Sequence, residues 1–191
     1  MYQPHQKVFI LTAPSGSGKT SITRYLLAHF PQLAFSVSAA TRQPRAGEVD
    51  GEAYYFLATH AFQEKIREEA FIEWEMVYEG NYYGTLKSEL ERIWAKGQFP
   101  VLDIDVKGAI HVQQQLGENC CSIFIQPPSV QELKLRLEAR GTETPESLAS
   151  RLGKAEYEIS FSHQFKHQVI NSDLNIACQE TAAIVRDFLG K

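Results

Sequence analysis

Residues 13–20 read Ala-Pro-Ser-Gly-Ser-Gly-Lys-Thr. Their spacing is that of a phosphate-binding loop, G-x-x-x-x-G-K-[ST], with Ala13 in the place of the first glycine. Gly16 and Gly18 let successive backbone N–H groups turn toward phosphate oxygens without a Cβ clash. A helix starting directly behind the loop adds the positive end of its dipole. The candidate triphosphate site is therefore Ala13, Pro14, Ser15, Gly16, Ser17, Gly18, Lys19, Thr20 and Ser21. Lys19 is placed for the β- and γ-phosphates, and the Thr20 hydroxyl for Mg²⁺. A second acidic signal is Val-Leu-Asp-Ile-Asp at 101–105. A hydrophobic strand ending in aspartate supplies the partner that Mg²⁺ needs beside such a loop. Asp103 and Asp105 are two apart and are expected to share one strand face. The plain alternatives are a Gly/Ser connection and two aspartates capping a strand–helix turn. The full loop in strand–loop–helix context favours the chemical reading.

The elements that must position these groups alternate between β-like and helix-like runs, the pattern of an α/β layered domain. Residues 7–12 read as a buried strand and 20–29 as a helix with Ile22, Leu26 and Phe30 on one stripe. Short strands are expected at 35–38 and 54–56, and a helix at 59–69 with Phe62 and Ile66 inward. From 72 to 78, Ile72, Trp74, Met76 and Tyr78 alternate with Glu73, Glu75 and Val77. This predicts a half-buried strand with both glutamates on the wetter face. A turn at 81–85 is expected to lead into a helix ending near Gly97. Strands follow at 101–104 and 122–125. Ser129 and Glu132 form a capping box for a helix reaching about Arg140. Thr144-Pro145 opens another helix. A strand at 168–170 and a helix at 174–189 close the chain.

The chain has 191 residues, 43% of them apolar and 22% charged. That is ordinary globular composition, and enough chain for one domain with a sizeable core. The net charge of −4 disfavours a general electrostatic binder of nucleic acid but leaves anionic small molecules open. No apolar run reaches membrane-spanning length, and the first residues lack a secretion signal. The cysteines, Cys120, Cys121 and Cys178, show no metal spacing; reduced thiols in a cytoplasmic protein are expected.

Beyond the loop, several motifs occur in one order: 13–21 (APSGSGKTS), 36–50 (SVSAATRQPRAGEVD), Tyr54, 71–74 (FIEW), 80–85 (GNYYGT), 102–109 (LDIDVKGA), 127–140 and 169–173 (VINSD). With them the chain resembles the guanylate kinase family over nearly its whole length. It departs from the family pattern at Ala40, which stands for a threonine, at Thr20-Ser21, which swaps two hydroxyls, and at Lys107, where glutamine is frequent. The resemblance implies a P-loop NTPase core with a parallel sheet flanked by helices, built from 1–38, 98–128 and 165–191. It further implies an inserted GMP-binding region at 39–97 and a helical lid at 129–164. It implies ATP:GMP phosphotransfer, and transfer to dGMP, with Mg²⁺ as cofactor; the charge and the short apolar runs already argue against nucleic acid or membrane partners. By position, Ser38, Arg42, Arg45, Tyr54, Glu73, Tyr83, Thr85 and Asp103 are the implied GMP-binding residues. Lys19, Arg136, Arg140 and Arg151 are the implied catalytic ones; Thr20, Asp103 and Asp105 would serve the metal.

The same residues make chemical sense on their own. Arg42 and Arg45 sit in one loop, and guanidinium forks bind phosphate bidentately. Tyr54 and Tyr83 add neutral donors. One carboxylate at Glu73 can accept guanine N1–H and its 2-amino group together, whereas adenine offers it neither. Sites built on such bonds discriminate by about 10⁴–10⁵. Arg136 and Arg140 are four apart on a helix face, and Arg151 follows on the next helix. Arginines converging on a transferring phosphoryl group supply on the order of 10³–10⁵ in rate. Two other classes compete. A guanylate-kinase-like interaction module would have a degraded loop, and Lys19, Thr20 and Asp103 are intact. A kinase acting on a ribose bisphosphate would not need Glu73 with Ser38 to read a purine.

Overall fold

A computed structural model of the chain describes Gln3, residues 5–139, Gly141 and residues 144–190. Its core is a sheet in the spatial order β2 (Leu33–Phe35), β7 (Phe99–Asp103), β1 (Val8–Thr12), β8 (Cys120–Gln126) and β9 (His167–Ile170). Every pairing is parallel; Phe9, for example, lies opposite Val101 on one side and Cys121 on the other. Parallel strands are covered on both faces and read as continuous apolar runs. All five residues of β1 are accordingly buried. Phe9 and Leu11 face α1 (Lys19–His29) and α7 (Leu174–Leu189), against Ile22, Leu26, Ala177 and Val185. Val8 and Ile10 face α3 (Lys87–Trp94) and α4 (Val106–Leu116), against Leu90, Ala109 and Val112. Cys120 and Cys121 point to opposite faces and are free buried thiols, as is Cys178.

A smaller sheet runs β4 (Tyr55–Phe56), β3 (Ala39–Ala40), β6 (Asn81–Leu86), β5 (Phe71–Tyr78). Helix α2 (Thr59–Arg67) covers it, with Phe62 stacked 4.3 Å from Phe71 and 5.5 Å from Tyr82. The expected turn at 81–85 is therefore a strand. It pairs antiparallel with β5, and the chain reverses at Glu79-Gly80, where Gly80 has φ 77°. The segment expected at 35–38 pairs earlier, at β2. Helix α3 packs on the core sheet through Leu90 and Trp94, although its sequence lies within the segment assigned to the insertion.

Helices α5 (Val130–Glu138) and α6 (Pro145–Ser160) form a separate layer with its own small core of Leu133, Leu137 and Ala155. Ser129 caps α5 by accepting from the Glu132 N–H at 3.0 Å, and Thr144 caps α6 in a reciprocal box with Ser147. Arg140, expected at the end of α5, lies outside the described residues.

Candidate active site

Residues 13–18 cross from the C-terminal end of β1 to the head of α1, at the edge shared with β7. Ligands of open parallel sheets gather at such carboxyl ends. Gly16 and Gly18 have φ 95° and 91°, which side-chain-bearing residues rarely adopt. A Cβ on Gly16 would also come within 2.9 Å of Leu133 on α5. No side chain caps α1, which leaves its first N–H groups for an anion. A cavity of about 660 Å³ opens there, lined by Ala13, Pro14, Ser15, Gly16, Gly18, Lys19, Thr20 and Ser21. Ser17 turns away: its side chain is buried, its N–H donates to Pro14 O, and its carbonyl accepts from Asn171 Nδ2 at 2.8 Å. Lys19 Nζ is ion-paired with Asp103 at the end of β7.

A second cavity, of about 520 Å³, is lined by Ser38, Arg45, Tyr54, Glu73, Tyr83, Gly84 and Asp103. It shares Ser15, Arg45, Tyr54, Asp103, Asp105 and Lys154 with the loop cavity. The two spaces meet where the loop faces the insertion. Burial holds the Tyr54 phenol above its ordinary pKa, so it is a neutral donor.

Glu73 is not on a wet face; it is 6% exposed, while Trp74 and Met76 of the opposite parity are 42% and 50% exposed. A register shift between Phe71 and Glu73 breaks strict alternation, so neighbouring Ile72 and Glu73 are both buried. The Thr85 hydroxyl donates to Glu73 Oε1 at 2.6 Å. The other oxygen abuts Gly108 on α4, where an added Cβ would sit 2.8 Å away. Burial pushes the Glu73 carboxyl up to about 7; the Thr85 bond opposes this, and the charge of Asp105 adds to it. Thr85 itself is buried behind Glu73 and orients it from there.

Arg42 is held by Glu48 and lies over the rings of Tyr54 and Phe56, at 4.9 and 5.5 Å. Asp105 is not on the strand of Asp103: β7 ends at Asp103, and Asp105 is the N-cap of α4, accepting from the Gly108 N–H at 2.8 Å. The capping alternative describes Asp105, whose side chain still lines the loop cavity.

From the helical layer, Arg151 Nη1 donates to Ser15 Oγ at 2.8 Å and so reaches the loop. Arg136 is engaged with Glu132 and with the Asn171 carbonyl, each at 3.0 Å. Sequence reasoning passed over Lys154 and Glu158, which also line the loop cavity. Lys154 is one turn after Arg151, so i,i+3 spacing could have found it. Glu158 is nearly buried, and that burial raises its carboxyl pKa against the pull of Lys154 and Lys19.

For Mg²⁺, the loop cavity offers hard oxygen ligands, among them the Thr20 hydroxyl and the Asp103 and Asp105 carboxylates. Among the described residues no group of three or more His, Cys, Asp or Glu closes a cage. That fits an ion that keeps waters and binds largely through substrate phosphates.

The sequence pattern of guanylate kinase matches residues 5–188. The guanylate kinase of Bacteroides fragilis is 46% identical over 98% of this chain and 94% of that protein. That of Chlorobium chlorochromatii is 44% identical over 98% of each. The crystal structure of guanylate kinase from Anaplasma phagocytophilum superposes with a TM-score of 0.74 at 30% identity, covering 95% of this chain and 85% of that one. Loop, fold and relatives agree: the chain belongs to the guanylate kinase family.

Proposed function

We infer that this chain transfers the γ-phosphoryl group of ATP to GMP, giving ADP and GDP. The observation that carries this is the junction of the two cavities. The cavity at the phosphate-binding loop and the cavity holding a carboxylate suited to guanine adjoin, sharing Arg45, Tyr54 and Asp103 in their walls. In that reading Glu73 accepts from guanine N1–H and the 2-amino group, with Ser38 beside it. Arg45, Tyr54 and Tyr83 hold the GMP phosphate, with Arg42 on the same loop. Lys19 and the loop N–H groups hold the ATP phosphates. The phosphate oxygen of GMP is already anionic, so no general base is required. Catalysis is alignment plus charge neutralisation by Lys19, Arg151 and Arg136, with Arg140 assigned the same role from its place in the sequence. Mg²⁺, when bound by Thr20 and Asp103, with Asp105 nearby, adds neutralisation of the β- and γ-phosphate charge. We place the reaction in the cytoplasm, where free thiols such as these three persist.

The test is ADP release from ATP with GMP, dGMP, AMP, CMP, UMP and ribose 1,5-bisphosphate in turn. Turnover with GMP and dGMP is expected, with AMP weaker by orders of magnitude. Preference for the ribose bisphosphate, or no turnover with any acceptor, overturns the reading.

A further inference from the structure

We propose that Glu89, which belongs to none of the motifs, positions the acceptor site by fastening it to the core. Glu89 lies on α3, which packs on the core sheet, and it is 2% exposed. Both of its oxygens are saturated. Oε1 accepts from the Val37 N–H at 3.0 Å and Arg92 Nη2 at 2.8 Å. Oε2 accepts from the Tyr55 hydroxyl at 2.9 Å and Arg92 Nε at 2.7 Å. A buried carboxylate is tolerated only with such partners. Burial works against its charge, yet the donors from Arg92, Val37 and Tyr55 leave its pKa below the usual value.

What matters is where those donors sit. Val37 immediately precedes Ser38, and Tyr55 immediately follows Tyr54; both neighbours line the acceptor cavity. The two segments are also tied to each other, since the Tyr55 N–H donates to Ser38 O at 2.9 Å. One residue earlier, the Ser36 N–H still donates to Val101 O of the core sheet at 3.0 Å. Residues 36–38 are therefore the crossing from core to insertion, and Glu89 grips the crossing at its middle. Glu89 does not itself line that cavity. Through Val37 it sets the backbone of Ser38, and through the Tyr55 ring it sets the start of β4, directly after Tyr54. A side chain misplaced by about 1 Å weakens a binding site without unfolding it.

The proposal rests on the reading that this cavity takes GMP. Steady-state kinetics of the full chain, varying GMP and ATP separately, test both. Tyr55→Phe removes one donor and leaves the ring; it is expected to raise KM for GMP about five- to tenfold while KM for ATP stays within about twofold. Glu89→Gln is expected to do the same more strongly, and its melting temperature shows whether it folds. Should Glu89→Gln fail to fold, Tyr55→Phe alone carries the test. An unchanged KM for GMP in folded Tyr55→Phe overturns the proposal. So does an equal loss toward both substrates that tracks a fall in melting temperature. Tyr54→Phe and Ser38→Ala separate the two readings. If they too leave KM for GMP unchanged, the assignment of the cavity has failed; if they raise it while Tyr55→Phe does not, only the role of Glu89 has.

Discussion

Glu48 grips Arg42 with both carboxylate oxygens, Nη1 to Oε2 at 2.6 Å and Nη2 to Oε1 at 2.7 Å. The Arg42 bond first, and the Arg45 N–H second, hold the Glu48 carboxyl down at about 2. The pair therefore stays ionised across the working pH range. The two charges cancel, so Arg45 supplies the net positive charge of this loop at the acceptor cavity. Arg42 instead lies over the Tyr54 ring, its guanidinium a splint within the loop.

It follows that Arg42 and Glu48 act as one unit. Arg42→Ala and Glu48→Gln are each expected to raise KM for GMP about tenfold, and the double variant no more than either alone. A double-mutant cycle on KM for GMP checks this. Additive losses would mean that Arg42 acts on the phosphate independently of its partner.

With Glu73 as the proposed reader of guanine, binding of GMP is expected to depend on pH. Its carboxyl titrates at about 7, and only the anion accepts both guanine donors. KM for GMP is expected to be lowest above pH 7 and to rise as the pH falls below it, while KM for ATP lacks this step. Glu73→Gln should raise KM for GMP and abolish the step. The same shift acts on stability. The folded carboxyl holds its proton to a higher pH than the unfolded one, so stability falls as pH rises from about 4.5 to 7. The full penalty, on the order of 3 kcal/mol, applies above that range. Ligand-free Glu73→Gln is therefore expected to melt several degrees higher than the wild type at pH 8 and equally at pH 4.5. Equal melting at pH 8 would show that Glu73 is ionised without strain.

Lys19 and Asp103 form an ion pair at the mouth of the loop. Lys19→Met is expected to lower turnover at least about 100-fold with the fold intact by circular dichroism. Near-normal turnover would refute the assignment of residues 13–21 as the triphosphate site.

Arg151 already reaches Ser15 from the helical layer. Two phosphates held by different regions meet only if those regions close around them, and closure excludes water. Arg151→Ala is expected to lower kcat about 100-fold with either KM changed about threefold or less, and Lys154→Met about tenfold. The free protein should show a larger radius of gyration by solution scattering than its complex with a bisubstrate analogue. A pure KM effect together with equal radii would establish a rigid, preformed site.

The thiols of Cys120 and Cys121 are buried in opposite faces of the core sheet, and burial pushes both up to about 12. Dithiothreitol is expected to leave activity and melting temperature unchanged, as measured by the coupled assay and differential scanning fluorimetry.

Local rules carried much of this protein. The phosphate loop is written in residues 13–20 because each position there answers a local demand: glycine for a left-handed backbone, lysine for charge, threonine for a hydroxyl. The short apolar runs place buried strands at 7–12 and 122–125, within a residue or two of β1 and β8, and the capped starts of α5 and α6 follow from Ser129 and Thr144. Other features needed the folded chain. Alternation placed Glu73 in water, but a bulge beside Ile72 put both residues inside, and only α4 packing against β5 makes that carboxylate basic. Spacing put Asp103 and Asp105 on one strand, but the strand ends between them, because Asp105 is needed to cap α4. The run 81–85 looked like a turn because Gly84 and two tyrosines carry no strand period. It is a strand because Gly84 lets β5 approach, an added Cβ lying 2.8 Å from Glu73 O. Glu89 carried no sequence signal at all, since a glutamate on a helix reads as surface. Its meaning comes from Val37 and Tyr55, 52 and 34 residues away in the chain, and such partners become neighbours only when two sheets and a helix have been assembled.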